Sequence, residues 1–179
     1  MYQQLIDFFK DKSVLILGLG REGRATLKFL RKYYPETKFT VADKNPVKVD
    51  DDNVELICGE NSLDCINGFD IVMQSPGISL RDVKIAPTTT VTGEMDLFLR
   101  LVPCKKIGIT GTKGKTTTTT LIFRMLQAAG VPSMVMGNIG TPVFESLDEV
   151  EGKVAVIEMS CHQLEFSHAS PNVAVFTNA

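Results

Sequence analysis

Apolar residues concentrate in short runs at 13–17, 38–42, 54–57, 70–74, 106–110, 133–136, 154–157 and 173–176, each bounded by polar, glycine- or proline-bearing segments. Runs of this length predict strands of parallel sheets, and the one ending at Gly18 suits a strand buried on both faces. Helical spacing fills several gaps between them. After 18–23 it continues to Tyr33, with Ala25, Leu27, Phe29 and Leu30 on the inner face, until Pro35 stops it. Residues 92–101 predict a short amphipathic helix ahead of Pro103, and 116–129 a longer one ended by Gly130 and Pro132. Its five consecutive threonines from Thr116 are poor helix formers, so packing or ligand contact must hold the first turns. A further helix is expected from about Pro142 to Val150. Strands alternating with helices predict an α/β chain. Residues 86–92, with Pro87 and a threonine run, change character, which places a Rossmann-like parallel-sheet domain at 1–92 and a P-loop-type domain at 93–179.

Composition adds exclusions. With 179 residues, 44% hydrophobic, 22% charged and net charge −2, the chain reads as an ordinary globular protein, without the basic surface that nucleic acid requires. The first twelve residues carry Asp7, Lys10, Asp11 and Lys12 and resemble no signal or transit peptide, and no apolar stretch approaches membrane-spanning length. A cytoplasmic monomer is the expectation.

The strongest chemical signal runs from Gly111 through Thr112, Lys113, Gly114 and Lys115 to Thr116 and Thr117, between a buried strand and a helix. Such a loop turns successive N–H groups toward anionic oxygens, and the helix adds the partial positive charge of its N-terminus. Lys115 is expected to reach the terminal phosphates of ATP, and the hydroxyl of Thr116 or Thr117 to ligate Mg²⁺. The pattern is a shortened variant, because Ile109 stands where the full phosphate-loop motif has glycine. Glu158 follows the strand at 154–157 and so lies at the sheet's carboxyl edge, as a candidate Mg²⁺ ligand with Ser160 and Gln163 close behind.

A second glycine loop, Gly18-Leu19-Gly20-Arg21-Glu22-Gly23, matches G-x-G-x-x-G between strand and helix. Asp43, about twenty residues on, stands where a nucleotide ribose would meet an acid. Ser75-Pro76-Gly77-Ile78 makes a turn at the carboxyl end of a strand, where ligands of open α/β sheets collect. Asp50-Asp51-Asp52 reads as a solvated turn, since it lacks the glycine and glutamate of a calcium loop. Cys58, Cys65, Cys104 and Cys161 have no metal-ligand spacing and read as reduced, mostly buried thiols. Cys161 and His162, read as strand neighbours, point to opposite faces, against a thiol nucleophile with its base. His162 and His168 read as hydrogen-bonded or surface histidines.

Five stretches in order, the two glycine loops, Ser75–Ile78, Gly137-Asn138-Ile139-Gly140 and Glu158-Met159-Ser160-Cys161-His162-Gln163-Leu164, resemble the Mur ligases of bacterial peptidoglycan synthesis over essentially the whole chain. That family's phosphate loop reads G-T-x-G-K-[ST]-[ST]; Lys113 stands where asparagine is commonest and Cys161-His162 where Ser-Phe is usual. The resemblance is greatest to the branch that joins D-glutamate to UDP-N-acetylmuramoyl-L-alanine. It implies a first domain that binds the UDP portion of the substrate, with Leu19, Gly20, Arg21 and Gly77 near the diphosphate or ribose and Asp43 and Lys44 near the uridine. It implies a second domain in which ATP phosphorylates a carboxylate to an acyl phosphate that an amine attacks. Lys115 would neutralise the transferring phosphoryl group, Thr116 and Glu158 would hold metal, and Asn138, Ser160 and Gln163 would orient the muramoyl end or a second metal.

The last strand lacks a covering helix, which leads us to expect a fragment cut within the second domain and inactive alone, because the family's metal-binding histidine, carbamoylated lysine and amino-acid-binding domain lie beyond it. Two rivals remain at this point. A nicotinamide-dependent oxidoreductase uses the first glycine loop and Asp43 but leaves Lys115 unexplained. A non-catalytic nucleotide-binding module uses both loops without turnover.

Overall fold

The computed structural model describes residues 2–178. The chain divides into two compact units, Ile6–Gly93 and a second comprising Glu94 onward with the N-terminal residues through Leu5. In the first unit the strands are β1 (Val14–Leu17), β2 (Phe39–Asp43), β3 (Val54–Cys58), β4 (Ile71–Gln74) and β5 (Thr90–Thr92), in the spatial order β3-β2-β1-β4-β5 and all parallel. Short helix α1 (Gln3–Phe8) precedes the sheet, and α2 (Arg21–Tyr33) follows β1. β1 is buried at every position, as a central strand covered on both faces must be. The chain leaves β1 first toward β2 and later returns on its other side as β4. That reversal opens a crevice beyond the carboxyl ends of β1 and β4. Register fixes its floor, since Leu17 lies level with Ala42 and with Gln74.

The second unit contains α3 (Glu94–Leu101), β6 (Lys105–Thr110), α4 (Lys115–Ala128), β7 (Ser133–Gly137), β8 (Val154–Glu158), α5 (Cys161–Leu164) and β9 (Val173–Phe176). Its parallel sheet runs β7-β8-β6-β9. Ile109 of β6 pairs with Glu158 on one side and Val175 on the other, so the ends of three strands arrive together at the start of the glycine loop that begins at Gly111.

Several elements differ from the sequence reading. The segment expected as a helix near 142–150 is a 3₁₀ helix, Val143–Glu149. Its buried residues fall three apart, Val143 with Ser146 and Phe144 with Leu147, a spacing that three residues per turn stacks into two inward columns. α3 is less one-sided than an amphipathic helix: Glu94 and Asp96 are as buried as Leu97 and Phe98. Asp96 explains its own burial, since one oxygen accepts from Arg100 Nη1 at 2.9 Å and the other from the His168 N–H at 2.7 Å. β5 falls inside the stretch read as a change of character, because its three residues, Thr-Val-Thr, pair as an edge strand too short to show a pattern. Cys161 and His162 lie at the start of α5 and not in a strand. The thiols are less buried than expected. Cys58 and Cys161 are exposed, Cys65 and Cys104 half-buried, and all four are free. Among the described residues no helix is long and apolar enough to cross a membrane.

Candidate functional site

In the first unit the glycine loop is built by close contact. A Cβ on Gly23 would lie 2.0 Å from the carbonyl oxygen of Gly18, so only glycine lets α2 approach the end of β1 this closely. At Gly20 a Cβ would meet nothing within 4 Å. The backbone there borders open space, which leaves room for a ligand to approach it. Asp43 anchors the loop, its two oxygens accepting from the Leu19 and Asn45 N–H groups, each at 2.8 Å. Ser75 Oγ donates to the Gly18 carbonyl at 2.7 Å from the β4 side. Beyond these groups lies a cavity of about 510 Å³ whose lining includes Gly20, Asp43, Lys44, Ser75, Gly77 and Ser62. Of the residues expected to touch substrate, Gly20, Asp43, Lys44 and Gly77 thus share one wall system. Leu19 is buried and contributes its N–H to Asp43, and Arg21 is exposed in the first turn of α2. Lys44 pairs with Glu60 at 3.2 Å across the rim; Glu60, Asn45 and Ser62 carry no motif that sequence reading would single out.

In the second unit Gly114, at φ +81°, caps α4 in the left-handed region that favours glycine, and Lys115, Thr116 and Thr117 form its first turn. First-turn N–H groups have no intrahelical acceptor, which leaves three donors and a helix dipole at the mouth of the loop. Lys115 Nζ folds back onto the loop, donating to Gly111 O at 2.8 Å and Thr112 O at 3.3 Å. These neutral acceptors leave the ammonium able to exchange them for phosphate oxygens. Thr112, Lys113 and Gly114 are exposed.

Glu158 is the centre of the arrangement. It is 2% exposed, and its carboxylate accepts from Thr116 Oγ1 at 2.7 Å through Oε2 and from Asn138 Nδ2 at 2.7 Å through Oε1. A carboxylate withdrawn from water needs a cation or several good donors, and among the described residues only two neutral donors meet it. That makes Thr116 and Glu158 a fitting pair of hard oxygen ligands for a Mg²⁺ ion, which keeps most of its shell as water and phosphate oxygen. Among the described residues no group of three His, Cys, Asp or Glu side chains offers an all-protein metal site. Ser160 and Gln163 form a reciprocal capping box on α5, with the Gln163 N–H on Ser160 Oγ at 3.2 Å and the Ser160 N–H on Gln163 Oε1 at 2.9 Å. They stand beside Glu158 in sequence and shape the chain leaving β8. Thr177 and Asn178, which the sequence offers only as polar residues after the last strand, bond to the phosphate loop.

The family model described as the Mur ligase MurD-like N-terminal domain matches residues 12–94, and that of the Mur ligase middle domain matches residues 109–179. UDP-N-acetylmuramoylalanine–D-glutamate ligase of Clostridium botulinum (strain Hall) is 35% identical over 190 residues, covering 99% of this chain and 41% of that protein. Its namesake in Clostridium acetobutylicum is 36% identical over 189 residues with the same coverage. The chain therefore spans about two fifths of the length of these relatives. A solved ligase from Neisseria meningitides, named for UDP-N-acetylmuramate and L-alanyl-gamma-D-glutamyl-meso-diaminopimelate, aligns with a TM-score of 0.47 at 13% identity, over 93% of this chain and 60% of that one. The nicotinamide oxidoreductase reading finds no support among these relatives. With a MurD-like N-terminal domain followed by middle-domain sequence, the chain belongs to the Mur ligase family.

Proposed function

We propose that this chain carries the UDP-substrate-binding domain (1–92) and part of the ATP-binding domain (93–179) of an ATP-dependent ligase. The parent enzyme joins D-glutamate to UDP-N-acetylmuramoyl-L-alanine through an acyl phosphate, in the cytoplasm and as a monomer, during cell-wall synthesis. The observation that carries the reading is Glu158, buried and shared between the Thr116 hydroxyl and the Asn138 amide beside a lysine-bearing glycine loop.

In this reading the first-turn N–H groups of α4 bind the terminal phosphates of ATP, and Lys115 leaves Gly111 O and Thr112 O to bridge them. Mg²⁺, when bound, supplies positive charge against the phosphate oxygens during transfer to the substrate carboxylate. Thr116 and Glu158 hold it, while Asn138 keeps Glu158 oriented. In the first unit, the space beside Gly20 takes the diphosphate, and Asp43 and Lys44 border the uridine. Asp43 keeps capacity for a ribose or base donor because each carboxylate oxygen accepts more than one bond. The amine addition belongs to the parent protein, and the 179-residue chain is proposed to bind nucleotide without turning over.

Calorimetric titration of the chain with ATP, UDP and NADH, each with and without Mg²⁺, tests the reading. The expected result is magnesium-dependent binding of ATP, binding of UDP and none of NADH. Binding of ATP indifferent to Mg²⁺, or of NADH in place of UDP, overturns it. For the parent protein, ADP release must require both UDP-N-acetylmuramoyl-L-alanine and D-glutamate.

A further inference from the structure

The end of β9 grips the phosphate loop. Asn178 accepts twice from it, through its backbone oxygen from the Thr112 N–H at 3.2 Å and through Oδ1 from the Lys113 N–H at 2.8 Å. Thr177 Oγ1 donates to Lys113 O at 2.6 Å, with Thr110 O at 3.2 Å as a second acceptor, and the Thr177 N–H donates to Thr110 O at 2.9 Å. Gly111 permits the approach. At φ +136° it lies in the left-handed region, and a Cβ there would fall 2.2 Å from Thr177 Oγ1 and 2.9 Å from Asn178 O.

These bonds divide the loop's donors. The N–H groups of Thr112 and Lys113 are committed to Asn178, whereas those of Lys115, Thr116 and Thr117, at the start of α4, are left for an anion. We propose that Thr177 and Asn178 are positioning residues for nucleotide binding: they fix the exposed outer shoulder of the loop to the sheet, so that the cradle is made from the helix side alone. An exposed segment between two glycines otherwise has to be ordered when phosphate arrives, and that cost comes out of the affinity. The inference rests on the nucleotide reading of the loop and adds two residues that never meet the ligand.

The test combines Mg-ATP titration with residue-resolved amide exchange on the 179-residue chain. Asn178→Ala removes the acceptor of the Lys113 N–H, and Thr177→Val removes the hydroxyl while keeping the shape. In each variant the exchange rate at Lys113 rises by about tenfold or more, and the Mg-ATP dissociation constant rises about three- to tenfold, the loss of one ordered hydrogen bond. Exchange through β6 and β8, and UDP binding, stay as in the unsubstituted chain. Asn178→Asp restores an acceptor and hence slow exchange at Lys113. Unchanged Mg-ATP affinity in both variants overturns the proposal, as does exchange rising throughout the second sheet, which signals a general structural role. If the unsubstituted chain itself fails to bind Mg-ATP, while Lys113 exchange responds as described, the nucleotide reading fails and the bracing of the loop stands.

Discussion

Replacing Glu158 by glutamine separates a metal ligand from a structural carboxylate. Glutamine keeps the shape and one acceptor oxygen. That oxygen turns toward Asn138 Nδ2, which can only donate, and the new NH₂ faces Thr116 Oγ1, which can also accept. Two hydrogen bonds to a charged group, worth about 1.5–3 kcal/mol each, become neutral bonds worth about 0.5–1.5 kcal/mol each. Against that loss, removing a charge from a 2% exposed site relieves a desolvation penalty of about several kcal/mol. The two nearly cancel, and the variant is expected to unfold within about 1 kcal/mol of the unsubstituted chain. Nucleotide binding responds differently with and without metal. In excess Mg²⁺ the variant binds ATP at least about tenfold more weakly, because a metal ligand is gone. In EDTA it binds ATP equally or more tightly, because a negative charge has left the neighbourhood of the phosphates. Fluorescence titration with an ATP analogue under both conditions reads the sign. Equal weakening with and without Mg²⁺ would refute the reasoning, since it would mean that the substitution had damaged the loop.

Lys115→Ala is expected to weaken binding of ATP about ten- to a hundredfold, the worth of one charge-assisted bond, with little change in urea midpoint because Nζ rests on the loop's own carbonyls. UDP titration of the same variant should be unchanged. Gly23→Ala drives a methyl group to 2.0 Å from Gly18 O and should cost about 1–3 kcal/mol or more in urea unfolding as α2 is pushed from β1; full stability would mean that the packing is looser than described. Asp70 accepts from the Ser13 N–H and from Ser13 Oγ, each at 2.8 Å, and these bonds hold its carboxyl below the usual 3.8. A depressed acid stabilises the fold above its unfolded pKa and loses that contribution as pH falls through the lower folded value, so the contribution is present at neutral pH and its loss falls below about pH 4. Ser13→Ala should raise the Asp70 titration midpoint, read by carboxyl NMR, and should lower stability more at neutral pH than in acid below that midpoint, where the contribution is already lost.

The central strand was legible because burial on both faces leaves an unbroken apolar run at Val14–Leu17, whereas β3 and β9 were legible from β-branched and apolar content although most of their positions are exposed or half-buried. The loops were legible because glycine is sterically required at defined points, as at Gly23 beside Gly18. Glu158, Thr116 and Asn138 could each be singled out, but only the pairing of β8 with β6 brings the first two within 2.7 Å. What stayed hidden depends on neighbours distant in sequence. β5 is held by β4, the buried acids of α3 by Arg100 and the chain near His168, and Asn178 by a loop 65 residues away. Val143–Glu149 shows a different limit, since an apolar spacing of three suits a 3₁₀ turn as well as the start of an α-helix.

Lys115, resting on the carbonyls of its own loop, carries a consequence for selectivity. An anion that draws the ammonium off the loop must replace two good acceptors already in place, and a singly charged species offers less in exchange than a chain of phosphates. On the proposed reading a chain of phosphates compensates by occupying the helix end and the lysine at once, and discrimination between mono- and triphosphates is expected to follow from where this side chain waits. Chloride and acetate in the surrounding solution are expected to compete poorly for the same reason, without any steric gate.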